Sequence, residues 1–136
     1  MAYVFDASFV GALIIPDEKN LRAEKIYSVV GKSEIFAPQL LWYEVASIFN
    51  NLLRHRRHSY HEVQRLIPPL AAIPFKIDFE TGAAYSQKLL KLCNEYGLGT
   101  YDAAYLELAE RKKAVLCTLD RGLYNAARKR GVAVMK

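Results

Sequence analysis

Four acidic side chains stand where carboxylates are uncommon, and they are the residues of this sequence best suited to chemistry. Asp6 and Asp120 each follow directly after an apolar, β-prone run, residues 3–5 and residues 115–119. Ligands of open α/β sheets bind in the crevice at the carboxyl ends of parallel strands. An aspartate at such a place can also form a turn or cap the next helix, and either residue taken alone allows that interpretation.

The other two acids lie on the inward faces of predicted helices. Glu44 comes three residues after Leu41 and four before Ile48, and residues at these spacings share one helix face. Asp102 shares a face with Leu106 and stands in the first turn of its helix, where the helix dipole favours an acid. A buried glutamate needs a compensating partner. The alternatives are a Glu44 that reaches solvent or an arginine from the edge of the apolar stripe, and an Asp102 that caps its helix.

Two acids at strand ends and two on inward helix faces can meet in one crevice, although four separate structural roles are also open. Clustered carboxylates repel one another, which raises their pKa values, and a hard divalent cation relieves that repulsion. Mg²⁺ and Mn²⁺ prefer oxygen ligands, and Mg²⁺ keeps waters and phosphate oxygens in its shell. Such an ion lowers the pKa of a bound water and neutralises charge at phosphorus. The pattern therefore favours metal-assisted hydrolysis of phosphodiester bonds.

The acids need a framework to position them, and the hydropathy pattern predicts alternating strands and helices. In the predicted helix over residues 20–30 we expect Leu21, Ile26, Val29 and Val30 to face inward. Such alternation is typical of βαβ units, a parallel sheet and right-handed crossovers. The predicted strands are residues 2–5, 35–37, 75–77, 114–119 and 132–135, and the predicted helices are residues 8–15, 20–30, 38–53, 59–67, 81–96, 101–112 and 123–130.

Length and composition limit the class of protein. The 136 residues fit one domain over residues 1–136, and 52% hydrophobic with 24% charged residues argues against intrinsic disorder. No run is long and apolar enough for a membrane span, and the first residues form no basic leader, so we expect neither a membrane segment nor a signal peptide. Two cysteines without motif spacing favour a reducing, cytoplasmic compartment.

The charge balance permits a polyanionic partner. The net charge is +5 and the isoelectric point is near 9.2. If four of the 14 acids line one site, ten acids are left against 19 lysines and arginines. A basic exterior around an acidic, metal-loaded cleft suits a nucleic acid, because lysine and arginine attract phosphates. Of the nine tyrosines, Tyr43 and Tyr101 are the two that we do not assign to packing, since an aromatic ring can also stack on a base.

Other kinds of site fit the sequence less well. His55, His58 and His61 recur at a spacing of three but lack a fourth ligand, so we do not expect zinc. The glycines form no phosphate-binding loop. A phosphatase would need a second aspartate where Ser8 stands. A receiver domain would need an acidic pair at the end of the first strand, where only Asp6 stands, and a lysine near the end of the last strand. The alternative function that stays open is a non-catalytic RNA-binding or interaction module on the same fold, which would need one of the four acids to be substituted.

At these residues the chain resembles the PIN-domain ribonucleases, specifically the VapC-type toxins of prokaryotic toxin–antitoxin pairs. The segment 98–109, LGTYDAAYLELA, is the most specific part of the resemblance. The other parts are YVFDAS at residues 3–8, LWYEV at residues 41–45 and CTLD at residues 117–120, with Leu123, Ala126 and Ala127 after it.

The resemblance implies a three-layer α/β/α fold with a five-stranded parallel sheet. It implies a Mg²⁺- or Mn²⁺-dependent endoribonuclease that acts on RNA, forms a homodimer and is blocked by a cognate antitoxin. Residues 54–58 and 59–74 are not diagnostic of the family and receive no role. Ser8 and Thr118 match the hydroxyls beside the catalytic acids, although Ser8 can simply cap a helix and Thr118 can simply suit a strand. The positions matching the acidic quartet, which would hold the metal, are Asp6, Glu44, Asp102 and Asp120.

Overall fold

A parallel β-sheet organises the chain. The structure is a computed structural model, and it describes residues 1–18, 20–56 and 58–135. Within those ranges the sheet has five strands in the order β3-β2-β1-β4-β5, all parallel to their neighbours. The strands are β1 (Ala2–Phe5), β2 (Glu34–Pro38), β3 (Phe75–Asp78), β4 (Val115–Cys117) and β5 (Val134–Met135).

Helices cover both faces of this sheet, as predicted for a three-layer α/β/α fold. On one face, α1 packs against α2, α3 and α5, and on the other face α7 packs against α6, α8 and strands β1 and β2. A 3₁₀ turn, Pro16–Glu18, precedes α2. The helices are α1 (Ala7–Ile14), α2 (Leu21–Val30), α3 (Leu40–Arg54), α4 (Tyr60–Gln64), α5 (Ile67–Ala71), α6 (Ala83–Tyr96), α7 (Thr100–Lys112) and α8 (Arg121–Arg130).

The chain adds strands on both sides of β1. Strands β2 and β3 lie on one side, and β4 and β5 lie on the other. Val4 of β1 lies level with Phe36 of β2 on one side and with Leu116 of β4 on the other. Because parallel crossovers are right-handed, the connections through α1–α5 run over one face, and those through α6–α8 run over the other. The carboxyl ends of β1 and β4 therefore form the switch point at which α/β proteins bind ligands.

Local sequence signals set many helix ends. The side chain of Asn20 accepts hydrogen bonds from the N–H groups of Arg22 and Ala23 at the start of α2. Ser59 and Glu62 form a reciprocal capping box at the start of α4. Gly97 ends α6 with φ near 66°, a left-handed conformation that glycine adopts without a steric penalty.

The core lies between the sheet and its two helical layers. The buried apolar side chains form one cluster, and Val4 and Phe5 at its centre are fully buried. Strands buried on both faces read as continuous apolar runs, which is why β1 could be predicted from its sequence. No helix in the described ranges combines the length and apolarity needed to cross a bilayer.

The predicted inward face of α2 is wrong at two positions. Leu21 is 79% exposed and Val29 is 70% exposed, whereas Ile26 and Val30 are buried as expected. The buried stripe instead begins at Ala23, because Ala23, Ile26 and Val30 follow the three- and four-residue spacing of one helix face. Leu21 and Val29 fall outside that stripe and leave apolar surface in solvent.

Several predicted elements are shorter in the structure, and the strand predicted over 132–135 is reduced to Val134–Met135. Two others end early for local reasons. The strand predicted over 114–119 ends at Cys117, because the N–H groups of Leu119 and Asp120 donate to side-chain hydroxyls and not to a neighbouring strand. The helix predicted over 59–67 ends at Gln64, and a separate helix, α5, begins at Ile67 with proline in its first turn.

Candidate active site

The four predicted acids meet at the carboxyl ends of β1 and β4. Asp6 follows β1, Asp120 precedes α8, Glu44 lies on α3, and Asp102 lies in the first turn of α7. Burial raises the pKa of Asp6, Glu44 and Asp102, and the charge of one or two other members of the four raises each further. The pKa of Asp102 reaches about 6. The four side chains therefore form one electrostatic cluster.

Asp6 is the most deeply buried of the four, with 3% of its surface exposed. One carboxylate oxygen accepts the Phe9 N–H at 2.9 Å and the Ser8 hydroxyl at 2.7 Å, and the other accepts the hydroxyl of Thr118. The bond from Phe9 caps α1, so the capping interpretation of Asp6 is correct as far as it goes. The cap holds this carboxylate rigidly at the site.

Ser8 and Thr118 connect Asp6 to the segment that follows β4. The Ser8 Oγ donates to Asp6 and accepts the Leu119 N–H at 3.0 Å. The Thr118 Oγ1 donates to Asp6 and accepts the Asp120 N–H at 2.9 Å. Each hydroxyl therefore orients a carboxylate and stabilises the chain path to Asp120. The position of Asp120 depends on the same hydrogen bonds as the position of Asp6.

Glu44 is held by a tyrosine from the opposite helical layer. The Tyr105 hydroxyl of α7 donates to Glu44 Oε1 at 2.6 Å. Burial raises the pKa of Glu44, and this hydrogen bond partly opposes the rise. Sequence reasoning did not single out Tyr105, although it lies three residues after Asp102 and so shares its helix face. The alternative interpretation gave Glu44 solvent or an arginine as its partner, but its hydrogen bond comes from this buried phenol.

Asp120 and Asp102 complete the cluster in different ways. Asp120 Oδ2 accepts the Leu123 N–H at 2.7 Å and caps α8, while its side chain stays exposed. Asp102 does not occupy the cap position of α7, which is Gly99. Its partial burial and the charges of Asp120 and Asp6 make ionisation of Asp102 unfavourable.

The four carboxylates have no cationic partner in the part of the chain that the structure describes. In residues 1–18, 20–56 and 58–135, none of them forms an ion pair with lysine, arginine or histidine, and their hydrogen bonds come from hydroxyl and backbone N–H groups. A concentration of negative charge that the protein leaves uncompensated marks a functional site more often than a structural one.

Glu107, a buried acid nearby on α7, shows the contrasting arrangement. Its carboxylate accepts the Arg111 Nε at 2.8 Å and the Lys88 Nζ at 3.1 Å. Burial alone would raise the pKa of Glu107, but these two cations outweigh it and hold the pKa below its ordinary value. Arg111 also forms a two-point bond to Asp78, at 2.9 and 2.7 Å, which joins α7 to β3. Sequence reasoning missed this network, and its compensated charges give it a structural role.

The donor chemistry of the cluster fits a hard divalent cation. All four side chains offer carboxylate oxygens, the ligand type of Mg²⁺ and Mn²⁺. The described residues contain no preformed group of three histidine, cysteine, aspartate or glutamate side chains spaced to hold an ion. Asp6, Glu44 and Asp120 each direct at least one carboxylate oxygen to a protein donor. Mg²⁺ needs only one or two carboxylates when waters and phosphate oxygens supply its other ligands.

His58 and His61 make contacts with residues outside this cluster. His58 Nε2 is 2.8 Å from Asp17 Oδ2, and His58 Nδ1 is 3.7 Å from Glu62 Oε2. His61 lies beside Arg65, with 3.4 Å between the His61 Nε2 and an Arg65 guanidinium nitrogen. Of the basic stretch 54–58, Arg57 lies outside the described residues.

The fold and the acidic cleft define a class of protein, and comparison with known proteins identifies that class. The PIN domain matches residues 3–129, and the chain belongs to the PIN-domain family. It is 32% identical over 126 residues to Ribonuclease VapC3 of Pyrobaculum aerophilum, covering 90% of this chain and 92% of that protein. The chain is thus a homologue of VapC-type ribonucleases.

Solved structures agree with this assignment. The crystal structure of PAE2754 from Pyrobaculum aerophilum superposes with a TM-score of 0.73 at 24% identity, over 98% of this chain and 83% of that one. A toxin–antitoxin complex from Klebsiella pneumoniae superposes with a TM-score of 0.60 at 19% identity, over 87% of this chain and 86% of that one. At these identities the likeness concerns the fold.

Proposed function

We propose that this protein is a divalent-metal-dependent endoribonuclease and the toxin of a toxin–antitoxin pair. The observation that carries the proposal is the cluster of four carboxylates at the switch point, which lacks any cationic partner among the described residues. Homology to Ribonuclease VapC3 supports RNA as the substrate. The excess of 19 lysines and arginines over 14 acids supports attraction of a polyanion to the rest of the surface.

Each residue of the proposed site has a role that follows from its contacts. Asp6, Asp102 and Asp120 would hold Mg²⁺ or Mn²⁺ together with Glu44, and when bound the ion activates a water and neutralises charge on the phosphate. Ser8 and Thr118 hold the Asp6 carboxylate in one orientation. Tyr105 holds Glu44 across the cleft through Oε1, and Glu44 Oε2 would orient a water.

Metal dependence tests the proposal directly. The purified chain is expected to cleave RNA with Mg²⁺ or Mn²⁺ and to stop when EDTA is added, because without the ion no group activates the water or neutralises charge on the phosphate. The measurement is the appearance of cleaved ends on a labelled RNA. An Asp6→Asn variant is the matched control for contaminating nucleases, since asparagine also caps a helix. Equal cleavage in EDTA and in Mg²⁺, or full activity of Asp6→Asn, would contradict the proposal.

Tyr105→Phe is expected to slow cleavage by about 10–100-fold, as loss of a residue that orients a metal ligand does. Without the hydroxyl, Glu44 loses the hydrogen bond that opposes the rise in its pKa. The acidic limb of the rate-against-pH profile should therefore move to higher pH. A merely structural role would lower stability without moving that limb, so an unshifted profile would rule out positioning of Glu44 by Tyr105.

Two protein partners belong to the proposal. The toxin–antitoxin complex from Klebsiella pneumoniae supports a cognate antitoxin that blocks the site. Homodimerisation is supported by the apolar surface of α2, where Leu21 and Val29 lie outside the core. An isolated monomer lacks both of these interactions.

A further inference from the structure

A cavity beside the acidic cluster has features that hydrolysis of a phosphodiester does not require. It lies between α3 and the start of α7 and has a volume of about 470 Å³, within the range of small-molecule sites. A second recess, lined by Glu44, Thr100, Tyr101 and Asp102 among others, adjoins it. The cavity is therefore continuous with the proposed catalytic site. Its lining residues are Leu40, Tyr43, Glu44, Ser47, Ile48 and Tyr101.

Two aromatic rings at this cavity are left in solvent. Tyr43 is 77% exposed and Tyr101 is 62% exposed. Each is adjacent in sequence to a member of the acidic cluster, Tyr43 to Glu44 and Tyr101 to Asp102. Exposed rings on rigid helices next to a nucleic-acid site are the usual platform for stacking unpaired bases.

The charge of the cavity lining favours binding of a base over binding of a phosphate. Among the described residues, Glu44 is the only charged one that lines the cavity, and it is negative. A phosphate is therefore repelled from this cavity, whereas an uncharged base with N–H donors is accepted. Ser47 adds a hydroxyl that can both donate and accept. Leu40 and Ile48 provide apolar surface for the body of a flat ring.

We infer that this cavity is the subsite for an unpaired nucleobase next to the scissile phosphate, with Tyr43 and Tyr101 as the stacking residues. The inference rests on the proposed ribonuclease function and adds the single-stranded character of the substrate at that position. A base bound in the cavity sets which phosphodiester bond lies over the four carboxylates. The two tyrosines are thus positioning and specificity residues.

The test uses single-stranded RNAs carrying the fluorescent base 2-aminopurine at successive positions, bound to the full chain in EDTA so that no cleavage occurs. Binding is followed by anisotropy of an end label, and stacking by quenching of 2-aminopurine. We expect quenching at one position or at two adjacent positions. The double variant Tyr43→Ala/Tyr101→Ala should lose that quenching and bind about 5- to 150-fold more weakly, as expected for loss of base stacking.

Two controls separate stacking from other effects. Tyr43→Phe/Tyr101→Phe keeps the aromatic faces and should behave like the wild type. Tyr60→Ala removes a tyrosine that is 67% exposed on α4 and absent from the cavity lining, and it should also behave like the wild type.

The outcomes distinguish failure of this inference from failure of the proposed function. A double variant that quenches, binds and cleaves like the wild type would overturn the base subsite and leave the nuclease proposal intact. The cavity would then suit an apolar side chain of a protein partner. A wild type that neither binds nor cleaves any RNA would overturn both.

Discussion

A Glu44→Gln variant is expected to lose RNA cleavage by about 10²–10³-fold while keeping its fold, the size of loss seen when a group that stabilises a charged transition state is removed. Glutamine still offers an oxygen to the Tyr105 hydroxyl, so the contact between the helical layers survives. The change removes only the negative charge, which the proposed ion requires. Cleavage rates and a calorimetric titration with Mn²⁺ should show slower turnover together with weaker metal binding.

Glu110→Gln is the matched control for this experiment. Glu110 lies near the other end of α7 from Asp102 and pairs with Arg130, with 2.6 Å between Glu110 Oε2 and Arg130 Nε. Loss of an exposed pair costs about 0–1 kcal/mol of stability and should leave cleavage unchanged. If Glu44→Gln keeps activity within about twofold of the wild type, Glu44 is a side chain at the edge of the apolar stripe and takes no part in catalysis.

An Asp102→Asn variant is expected to be more stable than the wild type in the absence of metal at neutral pH. The folded-state pKa of Asp102 is about 6 against an ordinary value of 3.8, so ionisation at neutral pH opposes folding. Allowing for solvent screening of a half-buried group, the gain is on the order of 1 kcal/mol. For a domain of this size that corresponds to a rise in Tm of roughly 3–5 °C.

The pH dependence of the difference in Tm provides a second test that Asp102→Asn stabilises the protein. A raised folded-state pKa means that Asp102 adds stability below about pH 4 and loses it as pH rises through about 6. The difference in Tm between variant and wild type should therefore be near zero below pH 4 and grow up to about pH 7. Melting at fixed ionic strength, with and without Mg²⁺, measures it, and Mg²⁺ should raise the Tm of the wild type more than that of the variant.

An acid that acts only on the dipole of α7 would give the opposite result. Removing such a charge lowers stability by about 0.3–1 kcal/mol, because a negative charge near a helix N-terminus is favourable. An Asp102→Asn protein that melts below the wild type without metal, and that responds to Mg²⁺ to the same extent, would remove Asp102 from the proposed site.

The sheet and its order of elements were accessible from the sequence because parallel strands buried on both faces carry apolar runs that few other elements share. Val4 and Phe5 in β1 illustrate this, since both are fully buried. The outer layers were harder to predict. Leu21 and Val29 are as apolar as the residues that α2 does bury, and only packing against the neighbouring helices decides which side of the helix faces inward.

The residues of the candidate site likewise fall into two groups, those that the local sequence identifies and those that it does not. Asp6, Glu44, Asp102 and Asp120 were identified because a carboxylate at a strand end or on an inward helix face is locally unusual. Tyr105 was not identified, because its role depends on a partner distant in sequence: it bonds Glu44, 61 positions away. The 33-residue separation of Arg111 and Asp78 hid that pair for the same reason. Only the folded chain brings such residues together. Glu107 is different, since its partner Arg111 lies four residues later on the same helix, a spacing that could have indicated the pair.

The hydrogen bond from Thr118 to Asp6 joins residues 112 positions apart, and that separation has a consequence during protein synthesis. Residue 6 is translated well before residues 118 and 120. A nascent chain therefore carries Asp6 without the hydroxyl and the carboxylate that complete its surroundings. For the proposed ribonuclease, this order of synthesis leaves the site incomplete until the segment carrying Thr118 and Asp120 has been made and has paired with β1.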